Sequence, residues 1–188
     1  MGGTARDDRS NRFCDYDSDV SDVTLHPAML DDEALGRDCR MERTRGSGPG
    51  GQHRNKVETG VRLVHGPTGV SGAATESRSP ADNQRKATFR LRVNLALEVR
   101  AFVGDAVSEC WRSRCRGGRL SINASHRDFP ALLAEALDVI AYYGGEVSDA
   151  AQWLGCTSTQ LVKLLKHEPR ALAWVNARRA ERGRPALR

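Results

Sequence analysis

Apolar and polar residues change their period several times along this chain, and each change predicts an element. Residues 1–19 are acidic and poor in large apolar side chains, the composition of a disordered leader. Val20 to Leu25 reads as a short strand, stopped by His26-Pro27. Leu30 to Leu35 supplies one or two helical turns beginning near Asp31-Asp32-Glu33, where negative charge suits a helix N-terminus. Arg40 to Arg45 is extended and runs into Gly46-Ser47-Gly48-Pro49-Gly50-Gly51, which has too much backbone freedom for regular structure. Val57 to His65 puts Val61 and Leu63 on one face and Arg62 and Val64 on the other. After the turn Gly66-Pro67-Thr68-Gly69, the chain returns through Val70 to Thr75, completing a β-hairpin.

The stretch after the hairpin carries two periods at once. Ser79-Pro80-Ala81-Asp82 opens a helix, with serine at the N-cap, proline at the first helical position and an acid two residues on. Phe89, Leu91, Val93, Leu95, Leu97 and Val99 then alternate as a strand does, while Leu91, Leu95, Val99 and Phe102 form a helical stripe. The start signal and the helix formers Ala87, Leu95, Ala96 and Leu97 favour helix. Gly104 to Gly118 reads as a basic connector containing Trp111, Arg112, Arg114 and Arg116, and Leu120 to Ala124 as a strand.

From Asp128 the pattern is helical throughout. Asp128 caps a helix through Tyr143, with Pro130 in its first turn, Leu133, Leu137 and Ile140 on one face, and Gly144-Gly145 as its stop. Ser148 to Leu154, a turn at Gly155-Cys156, and Thr157 to Lys166 resemble a helix-turn-helix. Ala151 is small where the helices cross, Leu154, Leu161 and Leu164 are core positions, and Ser158, Thr159, Gln160 and Lys163 face outward. Pro169 begins a last helix to about Arg182, followed by a short basic tail at 183–188. The resulting expectation is an α+β chain. A small mixed sheet with a β-hairpin packs on a long helix, followed by an all-helical unit at 128–182.

Charge divides the chain unevenly. Residues 1–38 carry four arginines against ten acids, residues 39–127 carry 17 Lys/Arg against seven acids, and residues 128–188 carry eight against seven. The positive charge is therefore central, as in a module that docks on a phosphate backbone, although a solvated basic face has the same composition. The five cysteines form no C-x-x-C pair and have no histidines at zinc spacing, so neither a metal site nor a disulfide framework is expected. No apolar run reaches spanning length and no signal-peptide pattern is present, so the expectation is a cytoplasmic protein with no membrane partner.

The run with chemical content is Arg45-Gly46-Ser47-Gly48-Pro49-Gly50-Gly51-Gln52-His53-Arg54-Asn55-Lys56. A hairpin with Pro67-Thr68-Gly69 at its turn follows, and then Glu76-Ser77-Arg78-Ser79. Over residues 20–103 this resembles the peptidyl-tRNA hydrolysis domain of class I peptide chain release factors. Without a counterpart of their codon-reading domains, it is most similar to the short, release-factor-like ribosome rescue proteins. The resemblance implies that Gly50, Gly51 and Gln52 form a catalytic tip. The Gln52 backbone N–H would stabilise the transition state or leaving oxygen, and its side-chain amide would help orient water. Two glycines let such a tip approach closely where side chains have no room. No side-chain nucleophile and no cofactor is implied.

Neighbouring residues carry plainer alternatives. His53 is read as a packing or RNA contact rather than a general base. Asn55 and Lys56 fit the family's pattern as loop anchors or RNA contacts, or equally as a turn residue and a solvated lysine. Arg45, Arg54 and Arg78 are candidate phosphate contacts, as is Lys163 in the helical unit. The implied partners are the large-subunit ribosomal RNA and peptidyl-tRNA, with either the mRNA channel or a partner rescue factor as a further contact, and the expected state is a monomer. Two departures stand out: Pro80 replaces the glutamine usual after Arg-Ser, and a compact helical unit stands where rescue factors carry a long basic tail. The rival reading is a nucleic-acid-binding helix-turn-helix protein, or a ribosome-binding factor without hydrolase activity.

Overall fold

The computed structural model describes residues 25–44, 59–101 and 103–188. The leader, the expected strand before Leu25 and the glycine-rich run lie outside these residues. A 3-10 turn at Pro27–Met29 leads into α1 (Asp32–Arg37), and the Asp31 carboxylate caps that helix by accepting from the Ala34 N–H at 2.7 Å. Three antiparallel strands follow, β1 (Cys39–Thr44), β2 (Gly60–His65) and β3 (Ser71–Ala74), in the spatial order β1-β2-β3. On β2 the expected alternation holds: Val61 and Leu63 are buried and Arg62 is exposed.

Helix α2 (Pro80–Glu98) covers this sheet. Ser79 caps it, accepting from the Asp82 N–H at 3.3 Å, with Pro80 at the first helical position. The crossing is close at Gly72, where a Cβ would stand 2.5 Å from the Ala87 carbonyl oxygen and 2.7 Å from Leu91 Cα. Two α2 side chains also reach outward-facing carbonyls of the edge strand: Asn94 donates to Ser71 O at 2.8 Å and Arg90 to Ala73 O at 2.7 Å. An edge occupied in this way is closed to another strand.

The two periods in α2 now have a cause. Successive alternate residues on a helix are about 200° apart, so an i, i+2 series samples opposite faces. Ala87 and Leu91 are buried towards β3, while Val93 and Ala96, on the opposite side, are buried too because α2 also packs on α4 (Phe129–Tyr142). A helix buried on two sides reads like a strand.

The stretch expected as a basic connector holds α3 (Glu109–Arg114) and a two-stranded hairpin, β4 (Cys115–Arg116) with β5 (Arg119–Leu120). Trp111 anchors it: the residue is buried and its indole N–H donates to Leu154 O at 2.7 Å. The strand expected over Leu120 to Ala124 stops at Leu120. Helix α4 is apolar nearly all round and packs on α2, α3, α5 (Val147–Trp153), α6 (Ser158–Lys166) and α7 (Pro169–Ala180). One hydrophobic core therefore runs from Val61 and Leu63 on the sheet to Leu161 and Val175 on the last helices. Asp128 occupies the N-cap position of α4 but makes no capping bond; its carboxylate instead accepts from Arg114 at 2.7 Å. The expected helix-turn-helix is α5 and α6, joined through Gly155 at φ +67°. Among the described residues no helix is long and apolar enough to cross a membrane.

Buried polar groups tie the seams. Glu135 of α4 accepts from the Ser108 N–H at 2.7 Å and from the Ser108 hydroxyl at 2.5 Å. Asp138 accepts from Arg100 and from the Ala101 N–H, both at 3.2 Å, and burial pushes its carboxyl up to about 7. His26 joins the start of the described chain to the end of α2. Its Nδ1 accepts from the Ala28 N–H at 3.0 Å and its Nε2–H donates to Val99 O at 3.2 Å. Only the neutral ring makes both bonds, and burial lowers its pKa from 6.5 to about 4.

The unfolded chain thus binds a proton at His26 between pH 6.5 and 4 that the folded chain refuses, so stability is lost as pH falls through that window. The raised Asp138 acts with the opposite sign over 3.8 to about 7. Comparing the protein with His26→Gln cancels the Asp138 contribution. Urea titrations at pH 7 and pH 4 are expected to show about 3 kcal/mol more acid destabilisation in the native sequence than in the variant. Equal pH slopes would show that His26 titrates normally.

Candidate functional site

The pairing of β1 with β2 sets where the glycine-rich run leaves and re-enters the fold. Thr44 pairs with Gly60 at the end of the ladder, so residues 45–59 begin and end on adjacent strands. The closing pair is tight. A Cβ at Gly60 would lie 2.7 Å from the Thr44 carbonyl oxygen and 2.9 Å from Thr75 Cγ2.

The return side is held by Asn83, a fully buried polar residue in the first turn of α2. Its amide donates to Thr59 O at 2.6 Å and to Ser77 O at 2.7 Å, and its Oδ1 accepts from the Ser77 N–H at 2.9 Å. One side chain therefore joins the residue before β2, the β3–α2 turn and the start of α2. Ser77 adds a second layer: its hydroxyl accepts from the Ser79 N–H at 3.1 Å and donates to Asp82 at 3.3 Å. Glu76 closes the turn against Arg90 at 2.5 Å.

Asn83 was absent from the residues singled out above, because in sequence it looks like one more polar group at a helix start. The available signal is its position in Asp82-Asn83-Gln84, four residues before the buried Ala87 and eight before Leu91, on their face of the helix.

Side-chain chemistry on the described residues points away from cysteine catalysis. Burial raises the thiol pKa of Cys39, Cys110 and Cys115, and pushes Cys156 up to about 12. None is a thiolate near neutrality. Among the described residues no group of His, Cys, Asp and Glu is placed to hold a metal ion.

Residues 33–113 match the RF-1 domain. Over this stretch the chain is similar to the class I release-factor family. The RF-1 domain thus spans α1, the three-stranded sheet, α2 and nearly all of α3. The chain is 40% identical over 109 residues to a chloroplastic peptide chain release factor of Arabidopsis thaliana, a stretch covering 51% of this chain and 24% of that protein. It is 44% identical over 101 residues to peptide chain release factor 1 of Acidiphilium cryptum, covering 54% and 29%. With peptide chain release factor 1 of Xylella fastidiosa it shares 36% identity over 112 residues, covering 60% and 28%. The matched stretch is thus about a quarter of the length of these relatives.

Gly50, Gly51 and Gln52, with Arg45, His53, Arg54, Asn55 and Lys56, lie outside the described residues but within the RF-1 domain's bounds. Arg78 is exposed in the turn that Asn83 fastens to Thr59, beside the re-entry of the run. Lys163 is exposed on α6, in the helical layer that packs on the other side of α4.

Removing the Asn83 amide leaves two carbonyls and an N–H without their partner. Asn83→Ala is expected to lower unfolding free energy by about 3 kcal/mol, against about 0.5 kcal/mol or less for the neighbouring exposed Gln84→Ala. Urea denaturation followed by tryptophan fluorescence checks this; similar values for the two would show that the clamp adds nothing.

Proposed function

We propose that this chain hydrolyses the ester joining the nascent peptide to tRNA on the ribosome, with Gly50-Gly51-Gln52 as the catalytic tip. The observation that carries the reading is the RF-1 domain itself, whose bounds include the tripeptide. The closed β1–β2 ladder and the Asn83 clamp support it, since they give the run a rigid base on both sides. The relatives are named as peptide chain release factors.

The reaction adds water to the ester carbonyl and expels the terminal ribose hydroxyl of the tRNA. Charge develops first on the carbonyl oxygen and then on the leaving oxygen, so a fixed N–H donor accelerates it without acid–base work by the protein. The Gln52 backbone N–H is that donor, and the side-chain amide admits and orients water. Proton transfer runs through the ribosomal RNA and the tRNA's own hydroxyl. No cofactor takes part. Arg45, His53, Arg54, Asn55, Lys56 and Arg78 contact ribosomal RNA around the tip, and Lys163 adds a contact from α6.

The finer reading is codon-independent rescue of stalled ribosomes by a cytoplasmic monomer. It rests on the C-terminal third of these 188 residues being helices α4 to α7, a unit that engages the mRNA channel or a partner rescue factor. In this reading, residues 20–103 are the hydrolysis unit and 128–182 the accessory unit, joined by 104–127.

Peptide release from ribosomes stalled on truncated mRNA tests the proposal. Gln52→Pro, which deletes the donor N–H, is expected to lower the release rate on the order of 100- to 1000-fold. Gln52→Ala keeps the N–H and is expected to lose less, while Gly51→Ala crowds the tip and loses activity. Release that survives all three removes the tripeptide from the mechanism.

A further inference from the structure

The hairpin β4–β5 rests on the turn of the helix-turn-helix. Gly118 pairs with Cys156, its carbonyl accepts from the Thr157 N–H at 3.3 Å, and the Cys115 thiol donates to Gly155 O at 3.5 Å. The tip, Gly117-Gly118, takes φ +56° and +76°, and the cross-strand pair flanking it is Arg116 opposite Arg119. Both arginines are exposed, as is Arg112 on α3 just before.

Many arginines of this fold pair with a carboxylate: Arg90, Arg92, Arg100, Arg114 and Arg170 each reach one. Arg116 and Arg119 form no ion pair with a carboxylate among the described residues, whereas the charge of Arg112 acts on Glu135. Like charges directly opposite on paired strands repel, so this placement lowers stability in the free protein. A polyanion reverses the sign of that interaction.

The hairpin's contact with Thr157 sets the arginine pair beside the start of α6. There Ser158 and Thr159 are exposed hydroxyls, Lys163 lies one turn beyond Thr159, and Lys166 follows. No acid occurs between Gly155 and His167, so this face is cationic or neutral throughout. Short hydroxyl side chains between cations suit phosphate and sugar oxygens rather than a protein surface.

We propose that the β4–β5 hairpin and α6 form one RNA-docking surface, in which Arg116 and Arg119 grip the phosphate backbone beside α6. The partner is RNA, met through its phosphate backbone. The choice of RNA over DNA rests on the ribosomal reading above, and α2 and α4 join this surface to the RF-1 domain in one packed core. The surface lies in and beside the C-terminal helices and uses none of the hydrolytic tip. On the ribosome it holds the chain to RNA while the tip acts elsewhere.

The test is fluorescence anisotropy of the 188-residue chain with a short labelled RNA duplex, a DNA duplex of the same sequence as a second arm, and a series of salt concentrations. Arg116→Gln with Arg119→Gln is expected to weaken RNA binding on the order of ten- to a hundredfold at 0.1 M salt and to reduce the log–log salt slope by about two. Arg37→Gln with Arg40→Gln, equally exposed but paired with Glu33 and Glu42, leaves binding unchanged. A melting temperature no lower than the native protein's in both pairs confirms that folding is intact, with a small rise expected for the hairpin pair as the repulsion is removed. RNA binding that ignores the hairpin pair overturns the proposal, as does tighter binding to DNA than to RNA, or no RNA binding at low salt. Because no ribosome is present, a protein inactive in peptide release yet binding RNA through Arg116 and Arg119 would sink the hydrolase reading and leave this one standing.

Discussion

Everything in the RF-1 portion depends on one buried side chain fastening three backbone segments. Asn83 has no access to water, and a buried amide stays folded only if its donors and acceptor are used. Thr59 and Ser77 use all three. The arrangement is directional in a way that hydrophobic packing is not. Leu91 or Val61 tolerate sliding by a fraction of an ångström, whereas two donors and one acceptor fix the height of Thr59 above α2. That height decides where β2 starts, and so how the Thr44–Gly60 pair closes.

The next layer of dependence runs through α2. It meets the sheet at Gly72, where backbone touches backbone, and α4 on its opposite side. A helix clamped between two layers has little freedom to tilt, so the first turn that carries Asn83 is held from behind. Helix α4 in turn is buried nearly all round and fixes α3 through Glu135 and Ser108. The C-terminal helices therefore brace the RF-1 domain through α4, and the Arg100–Asp138 pair spans that same contact.

What the sequence disclosed follows from what each signal depends on. Local signals read true: the Ser79-Pro80 start, the acidic start of α1 near Asp31, the alternation at Val61 and Leu63, the glycine turn at 155. Each is decided within a few residues. The readings that shifted depend on partners distant in the chain. Asp128 looked like a cap, yet Arg114 offered its carboxylate a charged partner. The stretch around Trp111 looked like a connector because arginines surround it, but its indole is satisfied by Leu154, 43 positions on. Only the helix face that Asn83 shares with Ala87 and Leu91 sets it apart from its polar neighbours, since its partners are backbone atoms that any sequence would supply.

Strongly shifted titrations usually flag a site where protons move. Among the described residues they fall elsewhere. Burial lowers His26 at the seam where it stitches Ala28 to Val99, raises Asp138 under the helices, and raises Cys156 at the turn of the helix-turn-helix. All three are packing seams, where burial shifts a pKa as a by-product of filling space. An ester hydrolase that worked through its own base or thiolate would keep such a group in an open cleft. One that works by presenting a backbone amide needs no tuned side chain, only a base that does not move. For the function proposed above, what the described residues supply is that second requirement: a closed ladder, a buried amide clamp, and a helix wedged between two layers.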